Sequence, residues 1–115
     1  MTVSLRGGFQ QQDGCLLFSF TGQLDAYSDK QFLAFIDDHL TSTPQPLVID
    51  LTRIDFLDSS GLGALVQLAK QRQEQGLPFR LVGNPRIVQT VKLVRLEEFL
   101  HLQPDLTSAL GSIAA

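Results

Sequence analysis

Residues 58–61 read Asp-Ser-Ser-Gly and stand between an apolar run, Leu47-Val48-Ile49-Asp50-Leu51, and a helical pattern that begins at once. Four kinds of chemistry are open to such a cluster. Asp and Ser can cap a helix, because their side-chain oxygens accept the free N–H groups of its first turn, but a cap accounts for only one of the three polar residues. A nucleophilic serine needs a general base within hydrogen-bond reach and an oxyanion hole. The local pattern is not Gly-x-Ser-x-Gly, and the two histidines, His39 and His101, fall on the apolar side of a predicted helix and in a predicted strand. A phosphate cradle of the Gly-x-x-x-x-Gly-Lys kind is missing its lysine. The remaining possibility is a hydroxyl held out from a helix N-terminus as a point of phosphate attachment. A phosphate there meets free N–H groups and the positive end of the helix dipole, so it is tolerated without unfolding. It adds roughly −1.5 to −2 charges, which is large against a chain whose formal net charge is −3. Ser59 and Ser60 lie near the same helix end, so chemistry alone leaves the choice between them open.

The surrounding pattern supplies the elements that position this cluster. Residues 1–22 read as two strands around a polar turn from Gln10 to Gly14, with Cys15, Leu17 and Phe18 marking the second. Phe32, Phe35, Ile36, His39 and Leu40 recur at helical spacing and predict a helix over 25–42, ended by Thr43-Pro44-Gln45-Pro46. Leu47 to Leu51 is a continuous apolar run, as expected of a central strand buried on both faces. A second helix is predicted over 59–75, with Leu62, Leu65, Val66 and Ala69 on one face and Gly76 and Pro78 closing it. Phe79 to Gly83 reads as a strand, and Asn84-Pro85 as the cap and first residue of a helix running through Arg95. Residues 98–102, Glu-Phe-Leu-His-Leu, are expected to form a short edge strand, and Pro104 to open a last helix with Leu106, Ala109, Leu110 and Ile113 in register. Alternation of this kind implies an α/β fold: a mixed, mostly parallel sheet with an initial hairpin, flanked by about four helices. In such sheets functional groups gather where strand C-termini meet helix N-termini, which is where residues 58–61 fall.

Composition narrows the function. A chain of 115 residues is expected to form one domain spanning 1–115. With 43% hydrophobic and 18% charged residues it is an ordinary globular sequence. The negative net charge and the absence of a Lys/Arg cluster argue against nucleic acid as a partner. The single Cys15 excludes an internal disulfide and reads as a small buried apolar residue. No apolar run approaches the ~18 residues of a membrane span and the N-terminus carries no signal-peptide pattern, so no membrane insertion and a cytoplasmic location are expected. No metal site and no catalytic set is predicted, and no cofactor; the chain is not expected to be an enzyme. A phospho-aspartate receiver would need an acidic pair after its first strand and a late lysine at a strand end, and neither is present. The eight phenylalanines are expected mainly in the core, with Phe56 and Leu57 either packing beneath the cluster or contributing to a docking patch.

Residues 48–71, with Asp-Ser-Ser-Gly-Leu-Gly at their centre, resemble the core of STAS domains in bacterial anti-sigma-factor antagonists. Gly22-Gln23-Leu24-Asp25 resembles that family's Gly-Glu-Leu-Asp turn, and Leu81 to Pro85 with the helix after it extends the likeness over nearly the whole chain. The resemblance implies a partner-switching protein. A serine kinase that also acts as an anti-sigma factor would phosphorylate Ser59 and a metal-dependent serine phosphatase would reverse it. The unmodified form would bind the kinase and release the sigma factor. On this reading Asp58 is the acidic neighbour and Ser60 the adjacent hydroxyl and cap. Gly61 and Gly63 admit either a partner's backbone or close helix-on-sheet packing, and Leu62 lies between them. Gly22, Gln23, Leu24 and Asp25 would rim the same partner-binding surface. Gln23 stands where the family has Glu, which removes one negative charge from that rim, and Leu93 to Leu102 contains no glycine where the family often has one. STAS domains also serve as constitutive accessory subunits of membrane transport complexes, including lipid transporters, and as signalling scaffolds; these are the alternative roles.

Overall fold

The computed structural model describes residues 5–40 and 44–114. The Asp13-Gly14 pair forms the first turn. Both residues adopt positive φ, 53° and 76°, the combination that lets a two-residue loop match the twist of its flanking strands. The turn is therefore shorter than the sequence suggested. Gln10 to Gln12 stay in strand β1 (Leu5–Gln12), and β2 (Cys15–Leu24) starts directly opposite, with Gln12 facing Cys15.

The chain then runs through α1 (Asp29–His39), β3 (Leu47–Leu57), α2 (Ser59–Glu74), β4 (Phe79–Gly83), α3 (Pro85–Leu93), β5 (Leu102–Gln103) and α4 (Leu106–Ala114). The five strands lie in sequence order; β1 and β2 are antiparallel and every other pair is parallel. Crossovers between parallel strands are right-handed, and when each moves one strand further in the same direction, every connecting helix falls on the same face. Accordingly Phe32 and Ile36 of α1, Leu65 and Leu68 of α2, and Ile87 and Val91 of α3 share one core with Leu16, Phe18, Phe20, Ile49 and Leu51. The opposite face is covered by α4, whose Ala109 and Leu110 meet Cys15, Leu17, Val48 and Val82. Burial, with Asp13 as a lesser cause, raises the Cys15 thiol above its ordinary range.

Several boundaries differ from expectation, each for a local reason. Helix α1 begins at Asp29 rather than Asp25, because Asp25 accepts the N–H groups of Ser28 (3.1 Å) and Asp29 (2.9 Å) through its carbonyl and closes a turn first. The expected end of α1 at Ser42 lies outside the described residues. Strand β3 continues to Leu57, six residues past the apolar run, because β2 pairs with it as far as Leu24↔Leu57. Asn84 caps α3 by accepting the Ile87 N–H (2.9 Å), as expected, and its Nδ2 also donates to the carbonyls of Thr52 and Ile54. Helix α3 ends at Leu93, and Arg95 takes a left-handed φ of 59°. Residues 98–101 are not strand: Leu100 and His101 donate their N–H groups to Leu96 and Glu98 within a local turn that buries Leu100, and β5 begins only at Leu102. His101 therefore belongs to this turn, with φ of 50°, and not to the strand. Gly76 closes α2 in the left-handed conformation (φ 69°), with the Leu77 N–H reaching back to the Arg72 carbonyl. The buried guanidinium of Arg72 donates to the Gln45 carbonyl and ties that end of α2 to the entry of β3.

Candidate functional site

The two sequence motifs meet at the C-terminal ends of β2 and β3. Gly22 makes the meeting possible. Its φ of 114° is a backbone state that side chains disfavour, and the β2–β3 register shifts there, from Gly22↔Ile54 to Gln23↔Phe56. Asp55 is the extra residue of this bulge. Beyond it Leu24 pairs with Leu57, which brings the turn after β2 against the start of α2.

Asp58 fastens the two together. Its backbone is extended (φ −104°, ψ −174°), the conformation of an N-cap, and its Oδ1 accepts the Gly61 N–H at 2.9 Å. Its Oδ2 accepts the Ala26 N–H at 3.2 Å, while its own N–H donates to the Leu24 carbonyl at 3.3 Å. The cap is thus Asp58, which corrects the expectation that Ser60 fills that place. An aspartate at this position reaches the third N–H of the helix, whereas Ser60 is already inside the first turn.

The turn on the other side of the tether is closed by Asp25 and Ser28. The Asp25 carboxylate accepts the Tyr27 N–H at 2.9 Å, and the Ser28 hydroxyl lies 3.2 Å from that carboxylate. Ser28 Oγ also donates to the Gln23 carbonyl (2.8 Å) and accepts the Asp25 N–H (3.0 Å). Both side chains are buried. Asp25 is therefore a bracing group inside the turn rather than an exposed charge on a rim. Ser28 was missed by sequence reading, although an aspartate followed three residues later by a serine is a recognisable turn-closing pattern.

The remaining candidates divide by exposure. Ser59, the first residue of α2, is exposed, and Ser60 is half-buried. Neither hydroxyl has a hydrogen-bond partner among the described residues. Leu24 is fully buried, which corrects its placement on a docking rim; its carbonyl supports the site from beneath. Gly61 is buried as well. A Cβ there would collide with the Leu24 carbonyl and come within 2.8 Å of Leu57 Cδ1, so this glycine serves helix-on-sheet packing and not a partner's approach. Gly63 is the reverse: it is exposed, with nothing within 4 Å of where its Cβ would stand. Gln23 is exposed, Gly22 and Leu62 are half-buried, Leu57 packs under the cluster, and Phe56 stands in solvent at 48% exposure. Of the predicted positions, Gln23, Ser59 and Gly63 are exposed and Gly22, Asp58, Ser60 and Leu62 half-buried, and the braced double turn adds the exposed Tyr27, which sequence reading did not single out.

Histidine chemistry is not placed at this surface. His39 closes the last turn of α1, roughly 15 Å along the helix from the turn that holds Asp25. Its ring stacks among Phe9, Phe18 and Phe35, and Nδ1 sits 2.8 Å from the Phe35 carbonyl oxygen. Among the described residues no group of three His, Cys, Asp or Glu converges to hold a metal ion, and no helix is long and apolar enough to cross a membrane.

Known proteins resemble this chain in sequence and fold. The anti-sigma-F factor antagonist RsfA of Mycobacterium tuberculosis is 24% identical over 112 residues, which span 95% of this chain and 88% of that protein. The crystal structure of an anti-sigma factor antagonist from Mycobacterium paratuberculosis superposes with a TM-score of 0.85 at 26% identity, covering 97% of this chain and 96% of that one. RsbS of Moorella thermoacetica has the same fold, with a TM-score of 0.77 at 22% identity and 94% of each chain covered. The STAS domain pattern matches residues 9–109, and the chain therefore belongs to the STAS domain family.

Proposed function

We propose that this protein is an anti-sigma-factor antagonist that switches partners through phosphorylation of Ser59. In the unmodified state it binds a serine kinase that doubles as an anti-sigma factor and releases the factor held there; modification blocks that binding, and a metal-dependent serine phosphatase restores it. The observation that carries this reading is an exposed serine at the first position of α2, its hydroxyl without a hydrogen-bond partner among the described residues, beside an aspartate that already occupies the helix end. The names of the mycobacterial relatives point to the same partner class.

The tether supplies a physical account of the switch. Asp58 engages the Gly61 and Ala26 N–H groups, so the anion-favouring end of α2 holds a carboxylate before any phosphate arrives. A phosphate on Ser59 adds roughly −1.5 to −2 charges next to it. That charge is left facing outward, where it repels an acidic or desolvating partner surface at a cost of several kcal/mol. The fold itself has little reason to change, since an acidic group in a helix's first turn is favourable. Phosphoryl transfer would be catalysed in trans, because positioning and metal-based charge stabilisation belong to the kinase.

The test begins with mass spectrometry of the protein from its native cells, beside a Ser59→Ala variant, to locate phosphate. Affinity capture with the native chain, Ser59→Ala and Ser59→Glu then identifies the partner. The reading expects phosphate on Ser59, and a serine kinase retained by the native chain and by Ser59→Ala but lost, by at least about 100-fold in affinity, with Ser59→Glu. A chain that stays unmodified across growth and stress conditions, and binds one partner equally in all three forms, would instead support a constitutive subunit.

A further inference from the structure

Among the described residues Tyr27 is the most exposed large apolar side chain, at 93%, and its phenol has no hydrogen-bond partner. A single exposed aromatic is ordinary on a protein surface; the way this one is mounted is not. Its own N–H is held by Asp25 Oδ1 at 2.9 Å. The residue before it, Ala26, donates to Asp58 Oδ2 at 3.2 Å, and the residue after it, Ser28, donates to the Asp25 carbonyl at 3.1 Å. The ring is therefore carried on a backbone pinned on three successive N–H groups, and one of those pins is the immediate neighbour of Ser59. Phe56, at 48% exposure, precedes Asp58 by two residues and pairs in register with Gln23. Two unburied rings thus stand on the same joined strand ends that present the switch serine. Gly63, one turn beyond Ser59, leaves the start of α2 without a side chain that would hold a partner off.

We propose that Tyr27, assisted by Phe56, is the apolar anchor of the surface that docks the anti-sigma factor, with Ser59 as its gate. The inference rests on the switch reading above and assigns affinity and control to different residues. A tyrosine has few rotors to immobilise, and a fixed backbone lowers the ordering cost further, which is why such rings recur as the energetic centre of interfaces. The occupant follows from continuity with Ser59. Phosphate on that serine can block only an interface that covers it, and Tyr27 lies on the turn bonded to the adjoining residue.

The test uses the kinase captured by the native chain as the probe, in direct binding measurements with Tyr27→Ala, Tyr27→Phe, Phe56→Ser and Ser59→Glu, each checked for an unchanged melting curve. Tyr27→Ala is expected to weaken binding about 30-fold, in the range of interface hot spots, with Phe56→Ser costing less. Tyr27→Phe should stay within about threefold, because the ring and not its hydroxyl carries the contact. If Ser59→Glu abolishes binding while Tyr27→Ala binds within twofold of the native chain, the switch stands and the anchor is wrong. If Ser59→Glu binds as the native chain does, the switch reading fails and the anchor falls with it. If the native chain alone sediments as a dimer that Tyr27→Ala dissociates, the ring is covered by a second copy and the proposal is overturned.

Discussion

Gly61 and Gly63 are two positions apart in one helix and have opposite reasons to be glycine. Gly61 faces the Leu24 carbonyl and Leu57 beneath α2, where no Cβ fits; Gly63 faces open space. Gly61→Ala is therefore expected to lower stability by about 1–3 kcal/mol through overpacking. Gly63→Ala should raise it by about 0.5–1 kcal/mol, because alanine loses less backbone entropy in a helix. Urea denaturation of the two variants decides the matter: shifts of the same sign would show that α2 does not pack on the β2 turn as described. At this scale the motif was readable by residue type but not by role. Asp58, Ser59, Gly61 and Gly63 were all singled out, yet only burial separates a glycine that admits the sheet from one that leaves the surface bare. The same holds for Leu24 and Asp25, whose types suit a rim while their carbonyl and carboxylate are turned into the support.

The elements depend on side chains that act beyond their own segment. Strand β4 pairs with β3 only as far as Leu51↔Gly83, yet β3 runs six residues further. Asn84 bridges part of that gap: one side chain caps α3 and satisfies two β3 carbonyls, at 3.2 Å for Thr52 and 2.8 Å for Ile54. Asn84→Ala is expected to cost about 2–3 kcal/mol, summing a lost cap and unpaired carbonyls. Asn84→Asp keeps the cap but sets carboxylate oxygens against those carbonyls, so it should recover little of the loss. Amide exchange in α3 and in residues 52–57 reports the outcome; an Asn84→Asp variant as stable as the native chain would reduce Asn84 to a cap. The cap itself was legible from Asn84-Pro85. The length of β3 was not, because Thr52, Arg53 and Asp55 break the apolar run that betrays a buried strand, and the pairing of Arg53, Ile54, Phe56 and Leu57 with β2 keeps the segment in the sheet regardless.

Across the whole molecule, the one-directional order of the sheet distributes the core unevenly. Three helices seal one face over the larger cluster, while α4 alone shields Cys15, Leu17, Val48 and Val82 on the other. Phe18 lies in the larger cluster at 0% exposure, with Phe9 and Phe35 against its ring at centroid distances of 4.9 and 6.0 Å. Leu110, in α4, retains 9% exposure in the smaller one. Phe18→Ala should therefore cost about 3–5 kcal/mol, and Leu110→Ala about 2 kcal/mol, the low end for a leucine whose site can relax. Differential scanning calorimetry would rank them, and equal losses would mean that α4 is as integral to the core as the three-helix face. The site stands at the C-terminal ends of β2 and β3, so a change in α4 is expected to leave Ser59 presentation intact.

Local order was determined by the sequence alone. The polar stretch ending in Asp-Gly marks the first hairpin, apolar periodicity the alternation of strands and helices, Asn-Pro the start of α3, and Asp-Ser-Ser-Gly the start of α2. These features follow from φ/ψ preferences and side-chain patterning, which act over a few residues. Tertiary structure decided what those residues do to one another. Whether Asp58 or Ser60 caps α2, whether Asp25 faces water, and which glycine is buried depend on a bond from Ala26 to Asp58 across 32 positions. A chain pattern carries no distance between such positions. That distance is set by the bulge at Gly22 and by the parallel register of β2 on β3, which place a buried brace and an exposed serine side by side.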